Sequence, residues 1–336
     1  MAGRIRAVQF GCGPIGCAVA KLALQRPGIE LVGALDVDPA KVGRDLGEVA
    51  GLGRAVGIRI SDDTDAVFAE AQADLAFHQT GSSLKAVFPQ LAKVLGYGVN
   101  IVSSTEELAY PHRKQPELAA EIDKLARANK ATVLATGVNP GFLMDTWPLA
   151  MTAVCQVVEK IKVVRVQDAR ARRLPFQKKI GAGCTVEEFQ KLVAVGTLRH
   201  VGLEESIAML AAGLRWHLDR ITEHIEPVVA KARVQSEYIT VEAGQVAGVH
   251  QVGQGFREGS EVIRLEFEAS LGAPESYDAV SITGIPEMEV VIKGGTHGDI
   301  ATAAIVVNAA CRVVDAPPGL LTMKDLPLVM CSAGPR

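Results

Sequence analysis

The chain has 336 residues, enough for two domains, with 48% hydrophobic residues, 22% charged residues and a formal net charge of −3. The charge is spread without long runs, which excludes a basic nucleic-acid-binding face, and the longest apolar stretches fall short of the roughly 20 residues that span a bilayer. The six cysteines (12, 17, 155, 184, 311 and 331) form no CxxC pair and no zinc-spaced Cys/His cluster. Free thiols in a reducing cytoplasm and no metal site are therefore expected, with no secretory signal pattern at the start.

In chain order, residues 5–10 read as a strand. Residues 14–25 read as a helix with Ile15, Val19 and Leu22 on one face, and residues 29–36 as a second strand. Short strands at 74–77, 100–102 and 132–135 alternate with helices at 84–95 and 116–130, the βαβ pattern of a parallel sheet. After about residue 150 the pattern changes. A long strand is expected at 157–166, helices at 185–195 and 203–225 with Pro227 as a stop, and an antiparallel meander over 236–293. A last apolar helix spans 301–314, with Asp299 as a candidate cap. The expected fold class is α/β: a Rossmann dinucleotide-binding domain (1–150, completed by 300–336) followed by an α+β domain (151–299) with a mainly antiparallel sheet for substrate binding and oligomerisation.

Gly11-Cys12-Gly13-Pro14-Ile15-Gly16 follows the first strand and opens the first helix, the context that GxGxxG needs. The first Gly permits the tight turn, the second lets the backbone approach a pyrophosphate, and the third lets helix and strand pack closely. Pro14 suits the first helical turn, whose free N–H groups favour phosphate. Asp36, at the end of the second strand, suits the hydroxyls of an adenosine ribose and repels a 2′-phosphate, which favours NAD. Asp38, Lys41 and Arg44 follow it, and a cation there leaves NADP open.

Ligands of open α/β sheets lie beyond the carboxyl ends of the strands. The turns Thr80-Gly81-Ser82, Ser103-Ser104-Thr105 and Thr136 to Asn139 are thus expected around the nicotinamide, with Thr80, Gly81, Ser82, Ser104 and Asn139 as contacts. Glu106 and Glu107 stand just past a strand end. Ser103/Glu106 and Ser104/Glu107 both fit a capping box, and only one can form from a given cap, so one carboxylate is left to face the pocket. His217 and His224, seven apart within the expected 203–225 helix, read as a solvated face.

Several separated stretches together resemble the 2,4-diaminopentanoate dehydrogenase and amine dehydrogenase family, whose fold is similar to that of dihydrodipicolinate reductase. They are the glycine turn, Ser103 to Pro111, Thr136 to Phe142, Arg172 to Gly183, His200 to Ser206, Thr296 to Thr302 and Pro318 to Met323. The resemblance implies reversible oxidative deamination of an amine at a secondary carbon to a ketone plus ammonia, with NAD(P), on 2,4-diaminopentanoate or simple ketones. It implies a catalytic glutamate at Glu106 or Glu107, and an aromatic pocket at Phe142 and Trp147, with Phe176 beside them. Gln177 and His200 join them as pocket candidates, and Arg172 and Arg173 as partners for a substrate carboxylate. Two alternatives stand beside this. One is an imine reductase of the dihydrodipicolinate reductase type, whose His-rich, Lys-containing segment is not visible here. The other is a non-enzymatic NAD(H)-sensing protein. An open antiparallel sheet needs cover, so a homodimer through it is expected, with a small-molecule amine or ketone as the partner and neither nucleic acid nor membrane.

Overall fold

In the computed structural model, which describes residues 4–331, one unit is built from the chain up to Phe142 and from His297 onward, and a second from Leu143–Thr296. The first unit begins with β1 (Ile5–Phe10), α1 (Pro14–Ala23), β2 (Ile29–Leu35), α2 (Leu46–Val49), β3 (Ile60–Ser61), α3 (Thr64–Ala71) and β4 (Leu75–His78). It continues through α4 (Leu84–Gly96), β5 (Asn100–Ser103), α5 (Pro116–Ala128) and β6 (Thr132–Ala135). Buried Gly16, Val19, Ala20 and Ala23 recur at helical spacing along α1. Leu84, Val87, Leu91, Val94 and Leu95 do the same on α4, and Ala119, Ile122 and Ala126 on α5, and they close one core with the sheet.

The second unit contains α6 (Thr146–Met151), β7 (Val157–Asp168), α7 (Leu174–Lys179), α8 (Val186–Ala194) and α9 (Leu203–Gly213). Then come β8 (Arg220–Val229), β9 (Val234–Gln235), β10 (Thr240–Val241), β11 (Val246–Arg257), β12 (Ser260–Ser270), β13 (Tyr277–Ile285) and β14 (Met288–Lys293). Its main sheet has the order β14-β13-β7-β12-β11-β8. The sheet is mixed, because β7 and β12 run parallel while the other neighbours are antiparallel. Gly253 and Gly255 lie under α9, where an added Cβ would meet Ile207 at 2.9 Å, so two glycines let the helix seat on that face.

The expected single helix over 203–225 is corrected. It stops at Gly213, Arg215 takes a left-handed φ of 56°, and from Arg220 the chain alternates exposed and half-buried residues as a strand. Leu218, Ile221 and Ile225 mimic helical spacing, but the period of two along β8 prevails. Pro227 is no stop signal; it lies inside β8, tolerated because β8 is an edge strand. His224 accordingly sits on this strand, and His217 lies between the two elements.

The chain returns to the first unit through α10 (Gly298–Val314) and β15 (Gly319–Leu321). His297, not Asp299, caps α10: its Nδ1 accepts from the Ile300 N–H at 3.5 Å. The completed first sheet is parallel throughout, in the order β15-β6-β5-β4-β1-β2-β3, with the order reversing between β4 and β1.

Candidate active site

One rung of the first sheet's ladder continues past the ends of five strands. Asp36 donates to the Ser61 carbonyl (3.0 Å), Gly11 to Leu35 (2.8 Å), Gln79 to Phe10 (2.8 Å), Ser104 to His78 (3.0 Å) and Thr136 to Ser103 (2.9 Å). The first residues of five connections are thereby brought to one edge of one sheet. This edge carries Gly11, Gly13, Pro14, Ile15 and Gly16 after β1, Asp36 after β2, and Thr80, Gly81 and Ser82 after β4. It also carries Ser104, Glu106 and Glu107 after β5, and Asn139 after β6. In open α/β sheets a ligand lies at this edge, where the strand order reverses.

The glycines of the first turn are required for three different reasons. Gly11 has φ 94°, and a Cβ there would stand 2.4 Å from the Gln79 carbonyl oxygen. A Cβ at Gly16 would stand 1.8 Å from the Gly11 oxygen, so α1 can approach β1 only with glycine there. Gly13 is different. Its φ is an ordinary −72°, and a Cβ would meet nothing within 4 Å. The protein itself does not demand glycine at this position, whereas a pyrophosphate lying against the backbone does. The turn thus fits a dinucleotide. Beneath it, the fully buried Gln9 amide donates to the Gly11 carbonyl (2.9 Å) and to Gln79 Oε1 (2.7 Å), tying the turn to the end of β4.

Asp36 is held on three sides. Its Oδ2 accepts from the Cys12 N–H (2.7 Å) and from Lys41 Nζ (3.2 Å), and its Oδ1 from the Asp38 N–H (2.9 Å). Partial burial opposes its ionisation, but the two backbone N–H groups and the Lys41 ammonium outweigh it and hold the carboxyl below its usual range. Cys12 is buried at the turn, and burial above all pushes its thiol up to about 12, so it stays protonated.

The turns after β4 and β5 are zipped together. Thr105 Oγ1 donates to the Gly81 carbonyl (2.8 Å), and the Glu107 N–H to the Ser82 carbonyl (3.2 Å). Below them His78, fully buried, meets Ser103 Oγ (2.9 Å) through Nδ1, and Gln90 Oε1 (2.9 Å) and Thr80 Oγ1 (3.0 Å) through Nε2. Burial drives its pKa down to about 4, so the imidazole is neutral and joins β4, β5 and α4 by hydrogen bonds. Ser103 Oγ in turn accepts the Thr105 N–H (3.1 Å), fixing the turn that leads to Glu106. The tell-tale signal in the sequence was a polar residue inside each of two short apolar strands, Gln9 and His78.

Neither expected capping box forms. Residues Glu106–Leu108 make a single 3-10 turn whose cap position is Thr105, with no side-chain capping bond. Glu107 instead reaches back 23 residues: its Oε2 accepts the first N–H of α4, Leu84 (2.8 Å), and also Gln115 Nε2 (2.8 Å) at the entry to α5. The Glu106 carboxylate, half-buried, has no hydrogen bond or ion pair among the described residues.

The pocket candidates divide between the units. Phe142 ends the first stretch of the first unit, half-buried. In the second unit Trp147 lies on α6, half-buried, and Phe176 on α7 carries the Arg172 guanidinium 4.0 Å above its ring. Gln177 is turned inward. Its Nε2 donates to the carbonyls of Ala169 (3.0 Å), Arg170 (3.3 Å) and Arg172 (2.8 Å), and its Oε1 accepts from Ser236 (2.7 Å). His200 packs edge-on against Phe267 at 4.5 Å, and desolvation, then Lys179 and Arg165, lower its pKa to about 3. Among the described residues no group of three or more His, Cys, Asp or Glu side chains is placed to hold a metal, and no helix is long and apolar enough to cross a membrane.

A parallel sheet with a glycine turn shaped for a ligand at its switch point and an ionised acid after β2 defines a dinucleotide-binding protein. Comparison with known proteins places it further. Residues 142–335 match the 2,4-diaminopentanoate dehydrogenase C-terminal domain, and residues 5–136 the N-terminus of dihydrodipicolinate reductase. The chain is 33% identical to a 2,4-diaminopentanoate dehydrogenase of Acetoanaerobium sticklandii, over 97% of this chain and 94% of that one. It is 24% identical to an amine dehydrogenase of Streptomyces virginiae over 96% of each. The solved structure of an amine dehydrogenase from Mycobacterium smegmatis matches with a TM-score of 0.86 at 28% identity, covering 97% of both chains. The chain belongs to the 2,4-diaminopentanoate dehydrogenase family and is an oxidoreductase acting on amine groups.

Proposed function

We propose that this enzyme catalyses the reversible oxidative deamination of a small amine at a secondary carbon, giving ketone and ammonia, with Glu106 as the catalytic carboxylate. The observation that carries the assignment to Glu106 is the contrast with its neighbour: Glu107 spends its carboxylate on Leu84 and Gln115, while that of Glu106 stays open at the edge where the ligand lies. A bound nicotinamide supplies the acceptor or donor of hydride. Glu106 stabilises the cationic iminium electrostatically and moves the proton that addition or loss of ammonia requires. Phe142 in the first unit, and Trp147 and Phe176 in the second, are the apolar side chains we read as substrate contacts. Gln177 and His200 are engaged within the second unit, Gln177 by its amide to the Arg172 carbonyl and His200 by its backbone N–H to Gln251, and we read them as shaping the substrate domain rather than touching substrate. We read residues 1–150 with 300–336 as the cofactor domain and 151–299 as the substrate domain.

NAD is favoured over NADP by the ionised Asp36, and 2,4-diaminopentanoate and simple ketones are the substrates to try first. The face of the second sheet opposite α9 carries the ion pairs Lys160–Glu261 and Lys162–Glu266, and a homodimer through this face is the assembly we propose. A monomer in sedimentation at micromolar concentration would rule that out. Six cysteines outside any disulfide accord with a reducing cytoplasm.

The test is NADH oxidation with a panel of ketones in ammonium buffer. Ammonia-dependent turnover is expected, and Glu106→Gln should lower kcat about 10²- to 10⁴-fold while NADH still binds. Full activity in Glu106→Gln would sink the assignment. NADH binding without turnover on any carbonyl would point to a sensing protein instead.

A further inference from the structure

The polar cluster beneath the turns after β4 and β5 holds its protons in one order. The Gly81 carbonyl can only accept, so Thr105 Oγ1 gives it its single proton (2.8 Å). Toward Ser103 Oγ, 3.0 Å away, Thr105 Oγ1 is then the acceptor, and Ser103 spends its own proton there. Ser103 Oγ therefore accepts from His78 Nδ1 at 2.9 Å, and the one proton of the neutral ring lies on Nδ1. Nε2 is left with a bare lone pair inside a fully buried side chain. Two groups face it: the Gln90 amide, whose Oε1 position is 2.9 Å away, and Thr80 Oγ1 at 3.0 Å. An oxygen at that Gln90 position sets two buried acceptors against each other, whereas the amide nitrogen, of the same shape, donates. The opposite end of the amide makes no hydrogen bond among the described residues, so turning the group over leaves no bond unmade at that end. The second proton of the nitrogen then goes to Thr80 Oγ1, 2.6 Å away. That is slightly short for N–H···O, a small adjustment for an exposed side chain beside the cost of an unmet buried ring nitrogen.

We propose that Gln90 presents its amide nitrogen to His78 and Thr80, so that Thr80 meets the dinucleotide as a hydrogen-bond donor, with His78 and Gln90 as positioning residues that act through it. With nitrogen beside it, Thr80 Oγ1 already accepts, and its own proton is released for a ligand. With oxygen beside it, that proton is spent on Gln90. Thr80 stands where a released proton is usable. It is an exposed residue just past β4, the strand beside β1, and its Cγ2 lies 3.0 Å from the point that a Gly11 Cβ would occupy. Its hydroxyl is thus fixed from beneath, next to the glycine turn, and suits an acceptor oxygen of the dinucleotide. The inference rests on the dinucleotide reading of that turn and adds to it the direction of one hydrogen bond. It also gives a task to the histidine buried inside an apolar strand: its proton on Nδ1, set by Ser103 and Thr105, decides which end of Gln90 faces inward.

Two measurements on the full chain test this. The first is NMR of the protein with isotope-labelled histidine, free of cofactor and near neutral pH, with His78 assigned by the signals lost in His78→Gln. Ring shifts separate the two neutral tautomers. A proton on Nδ1 is expected, and a proton on Nε2 makes Gln90 an acceptor and overturns the proposal. The second is a fluorescence titration with NADH, which reads binding without turnover, on the unsubstituted chain, Thr80→Val, Gln90→Glu and the double variant. Thr80→Val keeps the shape, removes the proton and should weaken NADH about three- to tenfold, the worth of one hydrogen bond. Gln90→Glu puts oxygen where nitrogen stood, takes up the Thr80 proton and should weaken NADH by about the same factor. The double variant should lose no more than either alone, because both substitutions remove the same bond. If Gln90→Glu weakens NADH equally in the Thr80→Val background, its charge acts directly on the nucleotide and the proposal is overturned, as it is if Gln90→Glu binds NADH unchanged. An unsubstituted chain that binds no NADH defeats the dinucleotide reading and takes this one with it. Tight NADH binding with the Nε2 tautomer defeats this proposal alone.

Discussion

The edge of the first sheet and the polar seam of the second are built from the same kinds of residue and end in opposite states. In the seam Arg165 and Asp278, 2% and 1% exposed, face each other across β7 and β13 at 3.2 Å. Together they clamp Thr296: its N–H goes to Asp278 Oδ2 (2.7 Å), and its carbonyl accepts from Arg165 (2.8 Å) and Gln167 (3.1 Å). Charge and hydrogen-bonding capacity there are turned on one another and on the backbone. At the edge of the first sheet a network of the same sort (Gln9, Gln79, His78, Ser103) lies beneath the surface, but above it Glu106 is left open, and so is the space over Gly13. Burial of polar side chains marks where a fold is being specified. The groups that such networks hold up but do not use are the ones placed for a ligand.

The sharpest way to break this comparison is to open the seam. Asp278→Ala leaves the Arg165 charge and the Thr296 N–H buried without their partner and should cost about 3–5 kcal/mol. A lowered urea midpoint with unchanged NADH affinity per folded molecule is expected. Loss of affinity without loss of stability would mean that the seam belongs to the binding machinery.

Acid should strain both units. The folded-state pKa values of His78 (about 4) and His200 (about 3) lie below the unfolded value of about 6.5, so the unfolded chain takes up these protons first. Stability is complete above that unfolded value and falls as pH drops through it toward the folded values, by about 3 kcal/mol for His78 alone. Melting curves between about pH 7 and about pH 4 read the slope. His78→Gln should flatten it by one proton, and an unchanged slope would show that His78 is not buried neutral.

Glu107→Gln should cost about 1 kcal/mol, because the amide still accepts from Leu84 but loses the charge at the start of α4. The loss should appear in stability more than in turnover, the reverse of Glu106→Gln. Equal losses of turnover in the two variants would end the distinction between them.

The smallest effect on stability is expected at Gly13. Gly13→Ala should change it by less than about 0.5 kcal/mol, since the new Cβ meets nothing. Nucleotide affinity should nevertheless fall by about tenfold, one step of roughly 1.4 kcal/mol. Gly16→Ala drives a Cβ against the Gly11 carbonyl and should unfold the turn first. If Gly13→Ala binds NADH unchanged, the space above the turn is not where the pyrophosphate lies.

Local geometry writes itself into sequence, and this is why the first sheet was legible. A glycine turn between strand and helix, a proline at the first helical position and an acid after β2 are short-range requirements that residue type alone can meet. Where two local periods overlap, as over 203–225, the sequence was ambiguous, and pairing with β11 made the second half a strand. The parallel register of β7 with β12 joins residues about a hundred positions apart and leaves no local mark. The two glutamates show the same division most clearly. Sequence by itself determined that a carboxylate pair follows β5 at the edge of a dinucleotide-type sheet. Only the tertiary structure decided which is spent, because the groups that claim Glu107 are the Leu84 N–H at the start of α4 and the Gln115 amide at the start of α5, and folding brings both to the same oxygen.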